Sequence, residues 1–166
     1  MKSTDNLKAA FAGESQANRK YTAFAAKAEA DGLPGVAKLF RAAAAAETVH
    51  ALSHFRVLDG VKGTVENLQA AIEGEHYEVA TMYPEFLATA KEENNAAAAR
   101  TFQLALDVEK VHEALYKKAL EAVKGGKDLA VKTFYVCDVC GHTVENGAPD
   151  KCPVCGATGS KFKEVK

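Results

Sequence analysis

Glu47-Thr48-Val49-His50 recurs sixty-two residues later as Glu109-Lys110-Val111-His112, and Gly13-Glu14 recurs sixty-one residues later as Gly74-Glu75. Phe40 and Phe102 also match. A Glu on one helix followed by Glu-x-x-His on the next, present twice, reads as two helical hairpins, and two hairpins make one four-helix bundle. The flanking sequence agrees. Residues from about 5 to 124 are rich in Ala, Glu, Lys and Leu, and turn-forming residues cluster at only three places: Asp31-Gly32-Leu33-Pro34-Gly35, Asp59-Gly60-Val61-Lys62-Gly63 and Glu93-Asn94-Asn95. This predicts four long helices. Thr64 with Asn67 is expected to cap the third, and Pro84 to kink it one or two turns past its middle.

At the 3-and-4 spacing of a buried helix face, the four core stripes pass through Phe11, Glu14, Asn18 and Tyr21; Val36, Phe40, Glu47, His50 and Val57; Ile72, Glu75, Val79 and Phe86; and Phe102, Glu109, His112 and Tyr116. Each stripe is apolar except near its middle. One unpaired buried carboxylate costs several kcal/mol, so four at one level of a core require cations between them. The i, i+3 spacing puts Glu and His on one face, and carboxylates with two imidazoles suit a carboxylate-bridged pair of iron or manganese ions. A lone Glu-x-x-His is commonly a surface salt bridge; the second copy at a matching offset argues against that here.

Glu78, one turn beyond Glu75 where the first hairpin has Ala17, adds a fifth carboxylate suited to an oxidised pair of higher charge; the alternative is a solvated glutamate. Tyr21 and Tyr83 are placed to offer hydroxyls near the metals, or else pack in the core. His54 is expected to support the site or pack in the core, while His76 and His142 are expected to face solvent.

Cys137-Asp138-Val139-Cys140-Gly141 and Cys152-Pro153-Val154-Cys155-Gly156 form two Cys-x-x-Cys knuckles in a tail that opens with the strand-like Thr133-Phe134-Tyr135-Val136. Four thiolates in this pattern select zinc or a single iron, and the spacing leaves both open. The expected organisation is a helical bundle over residues 1–124, a linker over 125–132 and a small β-type metal module over 133–166. A net charge of −1 argues against a polyanion-coating role, and no apolar run reaches the ~20 residues of a membrane-spanning helix. The start, Met1-Lys2-Ser3-Thr4-Asp5, has no apolar signal core, so the expected address is the cytoplasm.

Phe11-Ala12-Gly13-Glu14-Ser15-Gln16, Glu47-x-x-His50, Gly74-Glu75-x-x-Glu78 with Met82-Tyr83-Pro84, Glu109-x-x-His112 and the terminal knuckles together resemble rubrerythrin over nearly the whole chain. The resemblance implies a ferritin-like diiron bundle joined to a rubredoxin-like Fe(Cys)4 domain, reducing hydrogen peroxide to water for oxidative-stress protection. It implies Glu14, Glu47, Glu75, Glu78, Glu109 and His112 as diiron ligands, and His50 as the histidine exchanged with Glu78 on redox change. Cys137, Cys140, Cys152 and Cys155 would bind the single iron, and Tyr21 and Tyr83 would stand near the diiron site. Electrons are expected from an external NAD(P)H-linked reductase or a rubredoxin, since the chain has no nucleotide-binding fingerprint. One alternative is a ferroxidase or iron-handling protein with a structural zinc ribbon. A third possibility is an interaction module whose bundle binds no metal.

The repeat also bears on assembly. Its two-fold relation makes the second and third helices parallel at one site, so their link must climb the bundle. From His50 to Asp59 and from Val65 to Glu75 the helices descend ~14 Å and ~15 Å, leaving ends ~29 Å apart. Residues 60–64 span at most roughly 21 Å. The expectation is a homodimer in which hairpin one of one chain pairs with hairpin two of another.

Overall fold

The structure, a computed structural model, describes residues 2–165. It is built of α1 (Lys2–Ala30), α2 (Pro34–Val57), α3 (Thr64–Tyr77), a π turn (Glu78–Met82), α4 (Tyr83–Glu92), α5 (Ala96–Lys124) and the strands β1 (Phe134–Cys137), β2 (Thr143–Glu145) and β3 (Phe162–Val165). α3, the π turn and α4 run on without a break and form the predicted third helix. The result is a helical, ferritin-like architecture followed by a small β module. The chain divides after Lys62 into two compact units.

In the first unit α1 packs on α2. The turn between them is closed by Gly32 at φ +73°, a left-handed conformation that costs glycine little, and Pro34 opens α2 where a helix needs no N–H. The seam is small and tight: Ala25, Ala28, Ala37, Ala44 and Ala51 are buried. Asn18 Nδ2 crosses it to donate to the Ala44 carbonyl at 2.6 Å and to Thr48 Oγ1 at 2.8 Å. Phe11 stacks on Phe55 at 4.9 Å. Core membership therefore differs from the expected stripes, for Val36 and Val57 lie 42% and 70% exposed while the alanines beside that face are buried.

In the second unit α3 and α4 pack on α5, and Leu87, Ala90, Leu106, Val108, Ala119 and Leu120 form the buried apolar set of these helices. Two expectations are corrected here. The cap of α3 is Gly63, not Thr64 with Asn67: its extended backbone presents its N–H to Glu66 Oε2 at 3.1 Å, and a glutamate at the third helical position suits that role. The effect of Pro84 falls earlier than expected, as a π turn in which the Tyr83 N–H reaches back five residues to the Glu78 carbonyl. Proline has no N–H to give the carbonyl four residues before it, and a wider turn accommodates that loss.

The β module belongs to the same unit. Its sheet has the order β2-β1-β3, both pairings antiparallel, with Val136 opposite Thr143 and Cys137 opposite Phe162. Cys137, Cys152 and Phe162 form its buried centre. Among the described residues no helix is long and apolar enough to cross a membrane.

Candidate metal centres

Three groups of potential ligands stand out among the described residues: Cys137, Cys140, Cys152 and Cys155; Glu14, Glu47 and His50; and Glu75, Glu109 and His112. Within each, the ligand atoms lie within 4.8 Å of one another.

The knuckles that hold the thiols end at Gly141 and Gly156, whose φ values of +84° and +78° turn the chain back after each second cysteine. Cys137 and Cys155 sulfurs are 3.7 Å apart, as are those of Cys140 and Cys152. Four sulfurs each about 2.3 Å from a central ion, at the corners of a tetrahedron, are spaced about 3.8 Å. The cage thus fits a metal of the size of zinc or iron. Burial and the neighbouring sulfurs push the Cys140 thiol up to about 12, against a backbone hydrogen bond at His142. At Cys152 burial also raises, but the amides of Cys155 and Val154 outweigh it and bring the thiol down to about 7. A cation would relieve the repulsion among four thiolates.

Each helical unit carries one Glu/His half of the predicted centre. In the first, Glu14 on α1 meets Glu47 and His50 on α2, with His50 Nδ1 2.9 Å from Glu47 Oε2. In the second, Glu75 on α3 meets Glu109 and His112 on α5, with His112 Nδ1 2.7 Å from Glu109 Oε2. Glu75 is pushed up to about 7, first by burial, then by sharing a hydrogen bond with Glu109 and by the charges of Glu109, Glu78 and Glu113. Carboxylates that share a proton because their charges cannot be borne together are a donor set that a divalent cation fits.

Glu78 lies in the π turn, outside the cluster of three, yet its carboxyl is raised by burial and by Glu109. Tyr83 feels the same field: burial, then Glu78, Glu109 and Glu75, hold its phenol protonated. Tyr21 sits in the matching place of the first unit, its ring centroid 6.3 Å from Phe24 and 6.2 Å from Phe40; Tyr83 repeats this with Phe86 and Phe102, at 6.3 Å from each. His54 is half-buried and belongs to no ligand cluster.

His76 is exposed, as expected, and pairs with Glu113, its Nδ1 3.1 Å from Oε1; His142 differs from expectation. His142 is buried, at 7% exposure, edge-on to Phe162, because the knuckle that carries it lies on α5: a Cβ at Gly141 would be 3.8 Å from Val108. Its Nδ1 has no hydrogen-bond partner, and burial, with the His112 charge, keeps the ring neutral more readily than a free imidazole. Sequence reasoning missed Glu113, a buried carboxylate one residue beyond His112, held below its usual range by the 2.6 Å bond from Lys117, against burial, and by His76. The repeat held a signal for it, since the first hairpin has Ala51 at that position.

Residues 5–120 match a family model described as rubrerythrin, and residues 135–163 match the rubrerythrin rubredoxin-like domain. The chain is 36% identical to rubrerythrin-2 of Clostridium acetobutylicum, over 96% of this chain and 94% of that one. It is 35% identical to nigerythrin of Nitratidesulfovibrio vulgaris, over 91% and 80%. The solved structure of fully reduced, all-ferrous nigerythrin superposes with a TM-score of 0.59 at 32% identity, covering 98% of this chain and 86% of that one.

Proposed function

The chain belongs to the rubrerythrin family, and from that premise we propose that it is a non-haem diiron peroxide reductase fed with electrons through an Fe(Cys)4 centre in its C-terminal module. The observation that supports this best is the coexistence in one chain of a thiolate cage and two Glu/His half-sites: a one-metal centre for electron entry and a two-metal centre for chemistry. The overall conversion is H2O2 + 2 H+ + 2 e− → 2 H2O.

When bound, the two irons supply the electrons that cleave the O–O bond and stabilise the charge that develops on oxygen. The chain's own residues do the rest. Glu14, Glu47, Glu75 and Glu109 balance the four positive charges of a ferrous pair, and His50 and His112 complete the donor set. Glu78, whose carboxyl keeps a proton more readily than a free glutamate, would give it to the departing oxygen. Tyr83, protonated in the same field, and Tyr21, its counterpart in the repeat, offer hydroxyls to the substrate. Cys137, Cys140, Cys152 and Cys155 hold the single iron, reduced by an external NAD(P)H-linked reductase or a rubredoxin. Thiols that must stay reduced to bind metal fit the cytoplasm and a role in oxidative-stress protection.

The assembly we propose is a domain-swapped homodimer, each diiron site taking hairpin one from one chain and hairpin two from the other. The link supports it. Leu58, Asp59 and Gly60 are wound into a turn, with the Gly60 N–H on the Phe55 carbonyl at 2.9 Å, so only Gly60 to Thr64 can extend, roughly 14 Å at most. The climb from Val57 to His50 and from Thr64 to Glu75 is ~27 Å. Mixing Glu47→Ala with Glu109→Ala chains is then expected to restore activity, because one site of the heterodimer collects both lesions and the other none. No recovery in a confirmed heterodimer refutes the swap.

The reaction is tested by reducing the protein anaerobically and following the visible ferric-thiolate absorption on reoxidation. Peroxide is expected to act much faster than oxygen. Equal or faster reaction with oxygen, or zinc in the cage of natively expressed protein, would overturn the proposal in favour of iron oxidation or storage.

A further inference from the structure

The two Glu-x-x-His motifs are alike in sequence, but their imidazoles have different surroundings. In both, Nδ1 faces the glutamate of the motif. The second ring nitrogen tells them apart. His112 Nε2 is 2.9 Å from Thr143 Oγ1, on β2 of the thiolate module, whereas among the described residues His50 Nε2 has no hydrogen-bond partner.

The direction of the His112 bond follows from what else the hydroxyl does. Thr143 donates its proton to the Gly141 carbonyl at 3.1 Å, so toward His112 its oxygen accepts. The proton of the imidazole is thereby assigned to Nε2, and Nδ1, the nitrogen beside Glu109, keeps its lone pair for a cation. Leu68, Leu115, Ala119, Leu129 and Phe134 make the cavity of about 340 Å³ beside the ring largely apolar, so the hydroxyls of Thr143 and Tyr116 are the side-chain acceptors in its lining besides the ring itself. Thr143 itself is firmly held. It pairs with Val136 across the sheet, follows the Cys140-Gly141 turn, and lies two residues before Glu145, whose carboxylate takes both its bonds from Lys118 on α5, at 2.7 and 2.6 Å.

We propose that Thr143 is a positioning residue of the helical metal centre: through this one hydroxyl the thiolate module sets the ring orientation and tautomer of His112. The two metal centres of the chain are therefore coupled through a side chain that binds neither metal. The proposal rests on the reading that Glu75, Glu109 and His112 bind metal, and not on peroxide being the substrate.

The test uses the full-length chain loaded with one equivalent of zinc, which the four thiolates take first, and measures anaerobic Fe(II) affinity of the helical centre by chelator competition. Thr143→Val and Thr143→Ala, which both lack the hydroxyl, are expected to weaken Fe(II) binding about 10- to 100-fold, the usual consequence of removing the partner of a ligating histidine. Thr143→Ser is expected to keep wild-type affinity. Zinc retention by the cage, unchanged in all three, separates this from a collapsed module. Wild-type Fe(II) affinity in both hydroxyl-free variants, or equal loss in Thr143→Ser, would overturn the proposal. If the wild-type helices take up no Fe(II), the metal reading itself fails, which is a distinguishable result.

Discussion

Removing metal from the helical centre leaves Glu75 with a carboxyl at about 7 against 4.5 for a free glutamate, and this fixes how the stability of that form depends on pH. An acid whose folded value is raised binds its proton more tightly in the native chain. Its contribution is therefore fully present below about 4.5 and is lost as pH rises through 7. Between pH 6 and pH 8 the loss is about 1.3 kcal/mol by linkage alone. Glu75 is partly exposed, and solvent screening reduces that to about 0.7 kcal/mol. Urea unfolding followed by far-ultraviolet circular dichroism, on chain carrying zinc only at its four cysteines, is expected to show stability falling across this window. Glu75→Gln, which cannot titrate, is expected to flatten the profile. The same proton must leave when metal arrives, so Fe(II) binding at pH 7 should release about half a proton from Glu75, measurable by calorimetry in buffers of different ionisation enthalpy. Stability that is flat or rises from pH 6 to pH 8, or an unchanged slope in Glu75→Gln, would refute the reasoning.

Other perturbations probe the scaffold. Leu87→Ala, emptying a buried position of α4, is expected to cost about 2–5 kcal/mol in the same unfolding assay. Lys117→Met leaves the buried Glu113 with only the exposed His76 and is expected to cost about 1–3 kcal/mol, while Glu113→Leu, which removes the charge as well, should cost less. Gly159→Ala would press a methyl group into the Pro149 carbonyl oxygen, a backbone atom that cannot swing aside, and faster zinc loss from the cysteine cage to a chelator is the expected result.

The repeat made most of the helical architecture legible, because each Glu-x-x-His lies on a continuous helix and nothing in either hairpin opposes that periodicity. The π turn was legible too, in a detail easily passed over. Glu14 and Glu75 are offset by 61, but Tyr21 and Tyr83, Phe24 and Phe86, and Ala28 and Ala90 by 62, so the second hairpin gains one residue between Glu75 and Tyr83. Glu78–Met82 is where the helix takes it up. The surroundings of His142 were not legible, since burial there comes from α5, thirty residues away in the chain, and a turn after Cys-x-x-Cys-Gly carries no mark of what it will lie against. Glu113 escaped for a related reason: its partners, His76 and Lys117, form no motif, and a helical glutamate near lysine is ordinarily a surface residue.

That extra residue has a consequence for symmetry. A hairpin copied without change would give two ligand clusters with identical surroundings. Here the copies agree at Glu14 and Glu75, diverge for about one turn, and agree again from Tyr21 and Tyr83 onward, each tyrosine meeting the same two phenylalanines. A widened turn takes up the insertion between Glu75 and Tyr83, and within it Glu78 stands where the first hairpin has Ala17. The second cluster thus has beside it an acid that the first lacks, and an ion bound by Glu75, Glu109 and His112 would meet a different field from one bound by Glu14, Glu47 and His50.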